Sequence, residues 1–233
     1  MSRSNERYNY FCMFTPEGKI LPIEGVIRST EHGSSCVALR NKNMAVVISQ
    51  RTSKNDKLTD GQTKIKQLDD NLVYVYSGIT NDGVRFGNDL RDQIQYAKYM
   101  QGSSPPVAQL LEDKQFENAL EIMRYGRRAS GISVILAGVD KDKIEVFEMG
   151  PTGELIPCFG SCIGSRAQSA RTILEPHGES ISEMPDNELL SLGILAFKNA
   201  VNDPDVISRG HFDVCKVSLS EGVVFIPGSE IEA

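Results

Sequence analysis

Ser34 is the residue whose type and setting best suit covalent chemistry. It follows Gly33 and opens the run Ser35-Cys36-Val37-Ala38-Leu39. A serine made N-terminal by cleavage of a Gly-Ser bond gains an amine that can act as its own base. A Gly-Ser step before a buried strand is therefore where a self-processing hydrolase cuts itself. Here Ser34 lies behind Phe14-Thr15-Pro16-Glu17-Gly18 and an apolar stretch, which read as structure and not as a disposable leader. Other chemistry is poorly supported. His32, His177 and His211 belong to no G-x-S-x-G nucleophile motif. Neither a P-loop nor a G-x-G-x-x-G turn occurs.

The cysteines point the same way. Cys12, Cys36, Cys158, Cys162 and Cys215 are odd in number and scattered, which argues against a disulfide framework and fits a reducing cytosol. Cys158 and Cys162 form a C-x3-C pair, but no second Cys or His pair completes a tetrahedral metal site. Cys36 and Cys215 alternate with apolar residues and read as small buried hydrophobes. No metal or cofactor is expected. The 31 acidic and 25 basic residues give a net charge of -6, which disfavours nucleic-acid binding. No apolar run reaches the ~18 residues of a membrane span, and the N-terminus lacks a secretory apolar stretch.

The elements that would position these residues follow from periodicity. A helix is expected over Ile20 to Glu31, with Pro22 in its first turn. Ser35 to Leu39 and Met44 to Ser49 read as a hairpin, followed by strands at Lys64 to Leu68 and from Leu72 to about Tyr76. Phe86, Leu90, Ile94 and Ala97 recur at one-turn spacing after a cap at Thr80 or Asn81. Pro105-Pro106 opens a second helix carrying Val107, Leu110, Leu111, Ala119 and Met123, which ends at Tyr125-Gly126-Arg127-Arg128. Three strands come next: Ile132 to Ala137, Ile144 to Met149 and Glu154 to Phe159. Helices at Ala167 to Glu175 and Asn187 to Val201, the latter capped by Asp186, precede final strands at Asp213 to Ser218 and Val223 to Pro227.

Strands, two helices, strands, two helices, strands is not the single alternation of a doubly wound parallel fold. Two antiparallel sheets facing each other, each covered by a helix pair, would bury every apolar face. The expected fold class is α+β, a four-layer αββα sandwich.

Four blocks, in order, resemble a known family. Phe14-Thr15-Pro16-Glu17-Gly18-Lys19 resembles the F-S-P-E-G-R block of proteasome alpha-type subunits, and Gly33-Ser34-Ser35 matches their Gly-Ser before the first strand. The run Arg124 to Ile132 resembles their Y-G-x-R-P loop. Ile163 to Glu175 is similar to the I-G-A-R-S-Q-S-A-R-T-Y-L-E run of the alpha-6 class.

The resemblance implies a sandwich of the N-terminal-nucleophile hydrolase type, taken as one domain over 1–233. Residues 1–32 would be a gate segment and ring-face helix, and 33–233 the sandwich. It also implies a non-catalytic subunit of the outer ring of the 20S core, in cytoplasm and nucleus. The implied partners are neighbouring alpha subunits, the beta ring, the tails of regulatory-particle ATPases or other activators, and unfolded polypeptide passing the pore. In catalytic relatives a threonine pairs with an aspartate and a lysine. Here Ser34 stands for the nucleophile, Gln50 falls at or beside the aspartate position, and Lys64 matches the lysine.

Carried over residue by residue, Gly33, Lys64 and Ile79 match a pocket for an activator's C-terminal carboxylate. Tyr8, Asn9 and Pro16 match the gate, and Arg127 and Arg128 a ring contact. Asn9 replaces the family's aspartate, and Ile23-Glu24-Gly25-Val26 lacks the aromatic of V-E-Y-A. The alternative remains a self-processing hydrolase cleaved between Gly33 and Ser34.

Overall fold

Alternation of side chains along the strands sorts the apolar residues into three layers, and that sorting sets the architecture. The computed structural model describes residues 13–51, 62–124, 127–178, 180–201, 206–207 and 210–231. The helices are α1 (Leu21–Glu31), α2 (Thr80–Gln101), α3 (Val107–Met123), α4 (Ala167–Leu174) and α5 (Asp186–Ala200). The strands are β1 (Cys36–Arg40), β2 (Met44–Gln50), β3 (Ile65–Asp69), β4 (Leu72–Gly78), β5 (Ile132–Asp140), β6 (Lys143–Met149), β7 (Leu155–Pro157), β8 (Gly160–Ile163), β9 (Phe212–Ser218) and β10 (Gly222–Pro227). They form two five-stranded sheets, β10-β9-β2-β1-β8 and β3-β4-β5-β6-β7. Every pairing is antiparallel.

Successive strand residues face opposite ways. Cys36, Ala38, Ala45 and Val47 turn toward the second sheet and meet Val73, Val75, Ile135 and Ala137. Their neighbours Val37, Leu39, Val46 and Ile48 turn outward beneath α4 and α5, against Leu174, Leu189 and Phe197. On the other sheet Leu72, Tyr74 and Leu136 pack beneath Phe86 and Leu90 of α2 and Leu111 of α3. The layers are those expected from the order of elements: an αββα sandwich. Small side chains dominate between the sheets, which suits the ~10 Å separation of stacked sheets.

Two glycines let α2 approach its sheet. A Cβ on Gly83 would lie 2.3 Å from the Tyr76 ring, and one on Gly87 1.9 Å from Tyr74 Oη. Tyr74 Oη uses the space and donates to Gly83 O at 3.1 Å. Each helical glycine costs roughly 1 kcal/mol against alanine, and burying two tyrosine rings offsets that.

Three expectations need correction. The strand expected over Glu154 to Phe159 is only β7, Leu155–Pro157, and a further strand that was not expected, β8, follows at Gly160 in the other sheet: β7 pairs with β6, and β8 pairs with β1. Arg40 makes the crossing. Its backbone N–H donates to Phe159 O at 2.8 Å, its Nε donates to Cys158 O at 3.0 Å, and its guanidinium lies 4.4 Å from the Phe159 ring centroid. Gly160 then fits where a Cβ would meet Leu39 Cδ2 at 2.7 Å. The second correction concerns the start of α5. Pro185 occupies the N-cap, with no capping side chain, and Asp186 is the first helical residue. The third concerns α2: Ile79 holds its N-cap with no capping side-chain bond, and the expected caps Thr80 and Asn81 are already helical.

Asp186 instead serves Asn41, a buried residue in the β1–β2 turn. Asn41 Nδ2 donates to Asp186 Oδ1 at 2.7 Å and to Met184 O at 2.9 Å. Its Oδ1 accepts from the N–H groups of Asn43 and Met44 at 2.8 and 2.7 Å. One amide therefore closes a hairpin and ties it to a helix over 140 residues away in sequence.

The sheet edges are blunted. Val223 N–H points away from β9 and donates to Asp70 O, and Pro227, four pairs further along the same edge, has no N–H to offer. Strand β7 is only three residues long and ends in Pro157. On β3, the Gln67 carbonyl is taken by Arg91.

Asn41→Ala is expected to destabilise the fold by about 2–3 kcal/mol in urea unfolding, because it strands a buried carbonyl and two N–H groups. Lys42→Ala removes an exposed ion pair with Glu183 and is expected to cost less than about 0.5 kcal/mol.

Candidate functional site

The residues singled out in the sequence converge on the end of β4, where Ser77 is fully buried. Its hydroxyl proton is shared between Thr30 O at 3.2 Å and Ser34 O at 3.1 Å, linking the last turn of α1 to the start of β1. Glycine surrounds it. A Cβ on Gly33 would stand 2.1 Å from Ser77 Oγ, and one on Gly164 2.6 Å from the same atom and 2.3 Å from Ser34 O. Gly164 also has φ +91°, in the region that favours glycine. Ser165 N–H donates to Gly33 O at 2.9 Å, and Ser35 Oγ donates to Ser165 O at 2.8 Å. Gly33 is thus a close-approach glycine, as its place in the sequence suggests.

Both carbonyls flanking the Gly33-Ser34 bond are occupied, one by Ser165 and the other by Ser77. Ser49, opposite Cys36 in the β1–β2 register, and Gln50 beside it supply no carboxylate. Cys36 is no substitute nucleophile. Its Sγ is 3.5 Å from Ser49 Oγ, and burial pushes the thiol up to about 11, against the smaller downward pull of Ser49 and Lys64. A thiol so held stays protonated and inert at neutral pH.

Lys64 is 4% exposed, just before β3. Its Nζ lies 5.3 Å from the centroid of the Tyr76 ring, a cation–π arrangement. Among the described residues no carboxylate forms an ion pair with it, and no acceptor forms a hydrogen bond. Burial lowers its pKa below that of a free lysine, and the nearby Cys36 pulls the other way. Ile79 sits one residue past β4, 40% exposed. Its N–H donates to Gly131 O at 3.0 Å. Gly33, Lys64 and Ile79 therefore all gather around the last residues of β4. Sequence spacing alone, with 30 residues between the first two, could not have placed them together.

The remaining candidates are further out. Pro16 is exposed in a turn closed by Gly18 N–H to Thr15 O and by Thr15 N–H to Lys19 O, both 2.8 Å, with Gly18 at φ +79°. Tyr8 and Asn9 lie outside the described residues. Arg128 grips both oxygens of Asp82 at 2.7 Å, and Asp82 also accepts from Gly131 N–H at 2.9 Å. Burial would raise the Asp82 pKa, but Arg128, the Gly131 N–H and Arg85 together hold it low. Arg127 is freer, 3.9 Å from Glu121 and 57% exposed. Sequence reasoning missed Ser77, Asp82 and Ser165, which fix this junction. The only available signal was their adjacency to Gly78, Gly83 and Gly164.

Comparison with known proteins shows the family. A family model described as "Proteasome subunit" matches residues 30–217. "Proteasome subunit alpha type-1" of Dictyostelium discoideum is 31% identical over 192 residues, covering 82% of this chain and 77% of that protein. "Proteasome subunit alpha type-6" of Saccharomyces cerevisiae is 28% identical over 195 residues, covering 82% of each. "Proteasome subunit alpha type-1" of Drosophila melanogaster is 27% identical over 203 residues, 87% of this chain and 72% of that one. The chain belongs to the proteasome subunit family, as a member of its alpha type.

Proposed function

We propose that this chain is a non-catalytic structural subunit of the outer alpha ring of the 20S core, and that Gly33, Lys64 and Ile79 receive the C-terminal carboxylate of an activator tail. The observation that carries the docking reading is the ammonium of Lys64, buried over the Tyr76 ring with no ion-pair partner among the described residues. An ammonium on a flexible stem turns readily from a ring face to a carboxylate, which would supply the counter-charge it lacks. Ile79 offers an apolar wall for the tail's last side chains. Gly33 leaves room where a side chain would strike Ser77.

Ring assembly finds support in α1. Thr30 is the only buried residue of that helix, while Ile23, Val26 and Ile27 are half-buried and incompletely covered within the chain. A neighbouring subunit would complete their burial and stabilise a helix weakened by Gly25. Arg127 is available for a contact across the ring, whereas Arg128 is committed to Asp82. The N-terminal segment with Tyr8, Asn9 and Pro16 would contribute to the entry gate.

Lys64→Met tests the docking reading by two measurements that should move in opposite directions. Binding of tail peptides to the assembled particle at this pocket should fall at least tenfold. The stability of the chain should rise by about 1 kcal/mol, because an unpaired buried charge is replaced by an apolar side chain. Since the folded pKa of Lys64 is lowered, the wild-type penalty is full below that value. It fades as pH rises from there toward the ordinary lysine value of 10.5, so the stability gap between the two proteins should narrow over that window. Unchanged peptide binding would remove Lys64 from the pocket.

The non-catalytic reading predicts that chains purified from assembled particles keep the Gly33-Ser34 bond, as read by intact mass. Cys36 should also resist iodoacetamide at pH 8 until the protein is unfolded. A mass corresponding to a chain starting at Ser34 would establish the self-processing alternative.

A further inference from the structure

The loop between α3 and β5 carries Arg127-Arg128-Ala129-Ser130, two arginines placed three and two residues before a serine. Both arginine side chains are more than half exposed, at 57% and 59%. Ser130 is partly exposed, and among the described residues its hydroxyl has no hydrogen-bond partner. The backbone of the segment is weakly held. Among the described residues, its one backbone–backbone bond runs from Arg127 N–H to Arg124 O, long at 3.4 Å. Ala129 is the one buried residue of the four, and its methyl group is a small anchor. It stands where the similar loop of the family has proline, so the segment is free to extend.

Side-chain contacts do the fastening. Arg128 grips both oxygens of Asp82 at 2.7 Å and reaches Ala129 O at 3.1 Å. A segment tied by an exposed ion pair belongs to the part of a fold that opens locally with ease. Once open, it presents two guanidinium forks at a fixed distance from a free hydroxyl. That pattern suits a kinase whose substrate groove is lined with carboxylates, because each fork can be held by two parallel charge-assisted bonds.

We propose that Ser130 is a phosphoacceptor for a basophilic serine/threonine kinase, and that the phosphate breaks the Arg128 clamp on Asp82. Ser130 Oγ attacks the γ-phosphorus of ATP, the bond from that phosphorus to the bridging oxygen breaks, and ADP leaves. The hydroxyl proton passes to the kinase's carboxylate base. The new group carries about -1.5 to -2 charges at pH 7. It stands two residues from Arg128 and lines one small cavity with Asp82. Burial would raise the Asp82 pKa, but Arg128 and the Gly131 N–H keep it ionised. Phosphate and carboxylate therefore repel each other and compete for one guanidinium. Loss of the clamp loosens Gly131, whose N–H is held by Asp82 and whose carbonyl takes the Ile79 N–H. Arg127 is proposed above as a contact across the ring, and on that reading the kinase acts before assembly.

The test incubates the full chain with magnesium ATP and the catalytic subunit of cyclic-AMP-dependent protein kinase, and locates the phosphate by peptide mass spectrometry. Phosphate on Ser130 is expected while the β5 amides remain protected from hydrogen exchange. Arg127→Ala, which leaves the Arg128–Asp82 pair in place, should slow the transfer at least tenfold. Asp82→Asn, which releases Arg128, should speed it severalfold. In the phosphorylated chain the amides of Gly131 and Ile79 should exchange at least tenfold faster, with Val134 unchanged. No phosphate on Ser130, transfer only once the β5 amides exchange, or a rate indifferent to Arg127→Ala would overturn the acceptor site. Unchanged exchange at Gly131 and Ile79 would overturn the broken clamp. Equal rates in the assembled particle and the free chain would remove Arg127 from the ring contact and leave the acceptor site standing.

Discussion

Everything at the end of β4 depends on the absence of side-chain carbon around one hydroxyl group. Ser77 reaches Thr30 O and Ser34 O only because Gly33 and Gly164 have no Cβ, and an added one would stand 2.1 or 2.6 Å from Ser77 Oγ. Gly78 continues the pattern at φ +116°, where a Cβ would lie 2.1 Å from Gly131 O. Through these contacts α1, both sheets and the loop before β5 meet at one point. Arg128 extends the network by fixing Asp82, which in turn fixes Gly131. Gly33 and Ile79, two of the three residues of the proposed pocket, therefore rest on rigid backbone contacts, the arrangement that holds a binding geometry most closely.

Lys64 shows why such a site is not optimised for stability. A lysine buried over a ring, with no ion-pair carboxylate among the described residues, is an electrostatic liability in the isolated chain, and its lowered pKa expresses that. The sequence retains a catalytic-type lysine while Ser49 and Gln50 provide no acid and the Cys36 thiol is pushed up to about 11. The chemistry of hydrolysis has gone and the positive charge has stayed. That combination is the one the proposed docking role requires.

Layer order, helix pairs and hairpins were legible because periodicity of 2 and 3.6 records burial directly. Leu90 and Ile94 on the buried face of α2, or Val46 and Ile48 beneath α5, lie where their spacing puts them. The switch of sheets between β7 and β8 was not legible. It depends on Arg40, over 110 residues away, binding the carbonyl of Cys158. Asp186 was misread for a related reason: its position suits a cap, but Asn41 claims it from another element. The site was half legible. Lys64 and Gly33 could be found by position, whereas Ser77 is one of many serines until the fold brings Gly33 and Gly164 to it.

The blunted edges bear on the time before assembly. A sheet with open strands offers a backbone template that any extended chain can copy, and ladders of that kind rarely come apart. Here Pro227, the Val223 bond to Asp70 and the brevity of β7 deny that template. The apolar groups left uncovered include Tyr96, Tyr99 and Met100, all on α2, and Phe116 and Met123 on α3. Encounters between unassembled chains are thereby steered to side chains on helices, whose contacts depend on shape and can dissociate when the match is wrong. The fold leaves its mistakes reversible.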